Sequence, residues 1–160
     1  MKRLLVLLLV VLLSCTSVAN AEPWRVFDNA GLFTLEEVET LEQAIFDFQR
    51  NTKFDFAVLT TDDYLGKNSA EIAKAFVISE NLGFGQHGSG ILYYLATYDG
   101  MLFPTISCGG EMRDAFDQSK RKTALEIVDP FIENGEYTEA VISMIESATE
   151  AVETYKKDAK

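Results

Sequence analysis

Histidine is nearly absent from this chain of 160 residues, which has one, His87, alongside two cysteines and three prolines. A Ser-His-Asp triad would have to use that single imidazole, and it stands between Gly85 and Gly88 instead of in a rigid support, so triad chemistry is not expected. A zinc site built from Cys and His also lacks donors. Cys15 falls in a leader, which leaves Cys108 alone in the mature chain with no partner for an internal disulfide. Stability therefore has to come from packing. Long basic runs are missing too: the longest, Lys120-Arg121-Lys122, reads as a solvated helix turn, so nucleic acid is not an expected partner. There is no internal repeat, no low-complexity tract, no linker to a second domain, and no transmembrane helix expected after the leader.

The leader itself is clear. Lys2 and Arg3 precede an apolar run from Leu4 to Leu13, and small and polar residues follow as far as Ala19-Asn20-Ala21, the order of a secretory signal peptide over residues 1–21. The run is about half the roughly 20 apolar residues that a helix needs to cross a bilayer. Two processing routes stay open. Ala19-x-Ala21 suits cleavage before Glu22, whereas Leu12-Leu13-Ser14-Cys15 has the form of a lipoprotein box that would place a lipid anchor on Cys15. Either route predicts an extracytoplasmic protein, secreted, periplasmic or envelope-associated. Loss of Lys2 and Arg3 leaves 12 of the 14 basic residues against 25 acidic ones. Such a balance suits cations and basic protein surfaces, with an envelope protein as the expected class of partner.

Residues 22–160 read as one α/β domain. Trp24 to Phe27 suggests a short strand, and Asp28-Asn29-Ala30-Gly31 a turn. Thr34 with Glu37 forms a capping box ahead of a helix whose inward face is Val38, Leu41, Ile45 and Phe48. Phe54 to Thr61, apolar and β-branched, predicts a central strand covered on both faces. Ser69 caps a second helix from Ala70 to about Leu82, and Gly83 to Gly90 reads as a flexible connection. Ile91 to Ala96 and Met101 to Ser107 are expected to pair as an antiparallel hairpin around Asp99-Gly100, with Pro104 confining the second strand to an edge. Helices from about Gln118 to Glu133 and from Tyr137 to Lys157 finish the chain, the first kinked or interrupted by Pro130. The order β-α-β-α-β-β-α-α predicts helices on a mixed sheet of about four strands.

Few motifs carry chemistry. Gly83-Phe84-Gly85-Gln86-His87-Gly88 matches G-x-G-x-x-G, yet it leaves a helix and enters a strand, the reverse of what a pyrophosphate site needs, so no nucleotide cofactor is expected. Cys108 and Arg113 are one residue too close for a C-x5-R phosphate loop, and Cys108 reads as a structural thiol. Carboxylates are the plentiful groups, and Asp28, Asp62, Asp63, Asp99 and Glu111 all fall at predicted strand ends. Convergence of two or three of them would make a Ca²⁺ or Mg²⁺ site. The competing reading is that loop aspartates serve turns and caps, as Asp117 should at the start of its helix.

The string Phe27-Asp28-Asn29-Ala30-Gly31-Leu32-Phe33-Thr34-Leu35-Glu36-Glu37 resembles the opening of the TPM domain family. Asn81-Leu82-Gly83-Phe84-Gly85, Gly90-Ile91-Leu92 and Gly135-Glu136-Tyr137-Thr138-Glu139-Ala140 are similar to its later motifs. The resemblance spans Trp24 to about Tyr155. It implies a three-layer α/β/α sandwich of the kind found in exported bacterial and thylakoid lumen proteins, among them one described as an acid phosphatase and one tied to photosystem II repair. It also implies cation binding, with Asp28, Asp99 and Glu111 as the ligand candidates here. Two departures stand out: Gly88-Ser89-Gly90 where many members read Asp-Asn-Gly, and Gly100 where Arg often follows the aspartate. Two functions are therefore expected to compete, a non-enzymatic accessory or protein-binding module and a divalent-cation-dependent acid phosphatase.

Overall fold

Four strands lie side by side in chain order: β1 (Val26–Asp28), β2 (Asp55–Thr61), β3 (Gly90–Tyr98) and β4 (Met101–Gly109). The first three are parallel, and β4 runs antiparallel on the edge beside β3. The computed structural model describes residues 24–62 and 69–159; the leader, Cys15 and Asp63 lie outside them. Helices α1 (Leu35–Thr52), α2 (Ser69–Ser79), a single turn α3 (Met112–Ala115), α4 (Gln118–Asn134) and α5 (Tyr137–Asp158) complete the fold. The result is the expected three-layer sandwich around a mixed four-stranded sheet, with α3 as an addition.

Side-chain alternation along the strands divides the core in two. Phe56, Val58, Tyr93 and Leu95 point to the face covered by α1, α4 and α5, while Ala57, Leu59, Leu92 and Tyr94 meet α2. Among the described residues the first cluster holds 23 buried residues and the second seven, so most of the apolar stabilisation sits on the three-helix side. Leu41, Ile45 and Phe48 of α1 are buried as their spacing predicts, as are Val141, Met144, Ala148 and Val152 of α5. β2 is buried from Asp55 to Thr60, as a central strand should be.

Local chemistry explains the boundaries. Thr34 and Glu37 form both bonds of the capping box: the Thr34 hydroxyl accepts from the Glu37 amide at 3.3 Å, and the Glu37 carboxylate accepts from the Thr34 amide at 2.7 Å. Asp117 caps α4 by accepting from the amides of Ser119 and Lys120. The β3–β4 hairpin turns on Asp99 and Gly100, both at positive φ, as a two-residue turn requires. Two expectations need correcting. α2 stops at Ser79 instead of Leu82, because Asn81 takes a left-handed φ of 50° and the Leu82 amide folds back onto the Val77 carbonyl. α4 continues through Pro130, so of the expected kink or interruption the interruption does not occur. Pro130 and Glu126 are both exposed, so the carbonyl that Pro130 leaves unbonded lies on the solvent side of the helix, while Val128 anchors the opposite side in the core.

Topology fixes where a crevice can form. α1 and α2 each join neighbouring parallel strands, and both connections step across the sheet in the same direction, yet they lie on opposite faces. They therefore have opposite hands, one of them against the usual right-handed habit. Chain leaves β1 toward one face and β2 toward the other, so the carboxyl ends of these two strands are where an open α/β sheet would place a ligand cleft.

Candidate functional site

That position is formed by Asp28 at the end of β1, Thr60 and Asp62 at the end of β2, and the loop 29–33. Thr60 pairs with Asp28 in the sheet register. Its hydroxyl donates to Asp28 Oδ1 at 2.5 Å and accepts from the Ala30 amide at 3.0 Å. Asp28 also accepts from the Leu32 amide at 3.0 Å on Oδ1 and from the Phe33 amide at 2.9 Å on Oδ2. Three donors occupy most of what one carboxylate can accept. Asp28 is thus a turn and helix-entry residue first, tying the loop to the neighbouring strand so that α1 starts at a fixed angle.

The other two predicted ligands stand elsewhere. Asp28 and Thr60 are in register with Leu95, and Asp99 lies four residues further along, two strands over. At about 3.3 Å per residue and 4.8 Å between strands, their Cα atoms are roughly 16 Å apart, too far for one ion. Glu111 follows β4, whose last residue Gly109 pairs with Gly90 at the start of β3, so it sits at the opposite end of the sheet. The structure therefore divides Asp28, Asp99 and Glu111 among three places, and no cluster of three or more Asp, Glu, His or Cys suited to a metal occurs among the described residues. Asp62 is the carboxylate nearest to Asp28 in the register, two residues past Thr60.

Among the described residues, basic side chains are confined to one end of the strand direction, whereas carboxylates occur at both. At the end where the parallel strands finish lie Asp28, Asp62 and Asp99, with Glu36 and Glu37 in the first turn of α1 and Glu139 in that of α5. Glu37 is held below the usual carboxylate range by the Thr34 amide and hydroxyl, and its other oxygen accepts from Thr138 of α5 at 2.9 Å. No Lys or Arg lies at this end among the described residues. Basic side chains occupy the opposite end: Arg50 in the last turn of α1, Lys156 and Lys157 in that of α5, and Lys120 to Lys122 in the first turn of the antiparallel α4.

Around the hairpin at the acidic end, Tyr98 is 55 % exposed, Met101 57 % and Phe103 39 %. They flank the exposed Asp99-Gly100 turn that joins β3 to the edge strand β4. Sequence reading missed this apolar group, because alternation marks residues as strand members without saying how far along the strands α2 will cover their face.

At the basic end a second aspartate was also missed. Asp55 is 1 % exposed and accepts from Arg25 Nε at 2.9 Å, Gln49 Nε2 at 2.7 Å and the Gly83 amide at 2.7 Å. This paired and saturated charge locks β1, α1 and the glycine-rich loop to the start of β2. Cys108, close by on β4, is buried, and burial pushes its thiol up to about 11, with Arg121 and Arg113 only partly opposing. That is the inert structural thiol expected from the sequence.

A family model for the TPM domain matches residues 26–151. The chain belongs to the TPM domain family. The sandwich of this TPM domain is similar to three structures solved by NMR. An N-terminal domain from P. gingivalis superposes with a TM-score of 0.71 at 15 % identity, covering 84 % of this chain and 86 % of that one. An N-terminal domain from Corynebacterium glutamicum gives 0.64 at 12 % identity, with 84 % and 83 % covered. The BA42 protein of the psychrophilic Bizionia argentinensis gives 0.63 at 19 % identity, with 77 % and 83 % covered. At these identities the likeness carries the fold. No curated protein matches the chain. In this TPM domain the departure at Gly100 has a structural use: its φ of 75° completes the tight hairpin, a conformation in which an Arg would be strained.

Proposed function

We propose that this TPM domain is an exported, extracytoplasmic accessory module that docks a basic, partly apolar surface of an envelope protein on its acidic end. One observation carries the reading: Tyr98, Met101 and Phe103 are exposed around Asp99, at an end without a described Lys or Arg. Apolar area supplies affinity and the surrounding carboxylates select a basic partner. A photo-crosslinking residue at position 101, against one at position 157 at the other end, tests this in envelope extracts. A defined adduct from position 101 alone, weakened by salt and lost with Asp99→Lys, is expected. Equal adducts from both positions would end the proposal.

A Ca²⁺ or Mg²⁺ ion is proposed as a stabiliser of the ends of β1 and β2, held by Asp28 and Asp62 with loop carbonyls and not by Asp99 or Glu111. An NMR titration with Ca²⁺ should move the amides of 28–33 and 60–62 together; shifts confined to Glu111 would reject it. The second reading, a divalent-cation-dependent acid phosphatase, would draw on that same ion as the fixed cation for the developing charge, because the described residues at this end offer no Lys or Arg; no release of phosphate from an aryl phosphate with Ca²⁺ or Mg²⁺ would reject it. The expected leader is checked by intact mass, which separates cleavage before Glu22 from lipid on Cys15.

A further inference from the structure

Between α2 and the ends of β3 and β4 lies a cavity of about 250 Å³ that the docking function does not use. Lys74, His87 and Arg113 line it, together with Ser107, and Val77 and Leu82 supply apolar wall. No carboxylate lines it, although acidic residues outnumber basic ones by 25 to 14 in the chain. Glu111 and Asp114 border only the outer crevice that shares His87 and Arg113. Among the described residues neither Lys74 nor His87 has an ion-pair partner. Arg113 is aimed by a bond from its Nε to the Cys108 carbonyl at 3.0 Å, which leaves its terminal nitrogens for another acceptor.

Glycine sets the packing around the cavity. Phe84 and Ser89 exchange backbone bonds at 3.0 and 2.8 Å, so the segment expected to be slack is a small hairpin with His87 in its turn. That hairpin drapes directly over the end of β4: a Cβ on Gly109 would come within 2.5 Å of the Gly88 carbonyl oxygen, and one on Gly110 within 2.3 Å of Ser89 Oγ. The Glu111 amide donates to the same Ser89 hydroxyl at 3.1 Å. Gly83, Gly88 and Gly90 line the cavity; a Cβ on Gly83 would meet the Gly88 backbone at 2.4 Å and one on Gly90 the Asp55 side chain at 2.9 Å, so glycine lets the loop pack this closely, and the Gly83 amide is tied to Asp55 at 2.7 Å.

We propose that this cavity binds a small organic anion, a carboxylate or phosphate head on a short apolar body. With Glu111 and Asp114 outside its wall, the cavity turns Lys74 and Arg113 inward with no carboxylate lining it, an arrangement that favours entry of an anion. The head meets Lys74 and Arg113, with Ser107 as a further donor, and the body lies against Val77 and Leu82. At roughly 30 Å³ per water-sized unit the volume holds about eight such units, the size of a single-ring acid.

The test is a chemical-shift titration of the mature protein with phenyl phosphate and with benzoate, using benzyl alcohol as the neutral control. Saturable shifts at Gly83–Gly90 and Gly109–Gly110 are expected for at least one anion and not for the alcohol, and the tighter anion identifies the head. Each of Lys74→Gln and Arg113→Gln should weaken binding about tenfold, as loss of one charge-assisted bond implies. Lys74 is exposed, so Lys74→Gln reads out even if Arg113→Gln disturbs the fold. No saturable binding, equal binding of the alcohol, or unchanged affinity in Lys74→Gln would overturn the proposal. Because these shifts lie far from Tyr98 and Met101, failure here and failure of the docking reading are separately visible.

Discussion

The two ends of the parallel strands each carry an aspartate with three hydrogen bonds, but the two are held very differently. Asp55, at the starting end, is almost fully enclosed and faces a guanidinium; Asp28, at the finishing end, is half-buried and faces two amides and a hydroxyl. A carboxylate sealed beside Arg25 cannot be removed without stranding a buried cation, so it serves structure alone. One that remains partly wet combines a structural task with access to a ligand. The starting end is the pocketed end, where basic and acidic groups mix, and the finishing end is the acidic one with exposed apolar groups.

The largest effect should come from breaking the sealed end. Asp55→Ala leaves Arg25 buried and unpaired and is expected to cost about 3–5 kcal/mol in urea unfolding, with the double change Arg25→Met, Asp55→Leu recovering much of it. A loss below about 1 kcal/mol would mean that the network is wetter than its burial implies.

Alkali should strike the same end next. The Cys108 thiol ionises near its ordinary value in the unfolded chain and near 11 when folded, because burial opposes the thiolate. The unfolded state then loses its proton first, so stability falls as pH rises from about 9 to 11, by about 2–3 kcal/mol. Tyr93, raised by burial and by Asp129, adds a loss of the same sign at higher pH. Cys108→Ala should flatten the slope between pH 9 and 10; an unchanged slope would place the alkaline sensitivity elsewhere.

At the finishing end, Asp28→Ala frees the Leu32 and Phe33 amides and the Thr60 hydroxyl and should cost about 2 kcal/mol, less than Asp55→Ala because water reaches part of the site. A larger loss than at Asp55 would invert the comparison. Thr34→Ala, one cap bond at the exposed start of α1, should cost about 1 kcal/mol by thermal unfolding.

Much of the fold was legible because it depends on local pattern. The capping box at Thr34, the Asp117 cap, the Asp99-Gly100 turn and the edge position of Pro104 each follow from neighbours in sequence. The end of α2 was harder, since Asn81 is a known left-handed stop but the apolar pattern runs past it to Leu82 and masked that signal. Pro130 misled because its cost depends on whether the orphaned carbonyl meets water, which is a property of the packed helix. The carboxylates were legible in part: the expected antiparallel hairpin already puts Glu111 at the end opposite Asp99, and only the register across β1, β2 and β3 shows that Asp28 and Asp99 lie too far apart for one ion. Arg25, Gln49 and Asp55 are scattered along the chain and carry no shared motif, so their union was invisible.

Sequence alone determined the elements, their order, the family and the strong acidic balance, because periodicity, caps and turn residues act over a few neighbouring positions. Tertiary structure decided the confinement of basic residues to one end, the diverging connections that leave β1 and β2, and the glycine-lined cavity. Those arise from which strand ends and helix termini come together, and that is settled only when distant segments bury their apolar faces against one sheet.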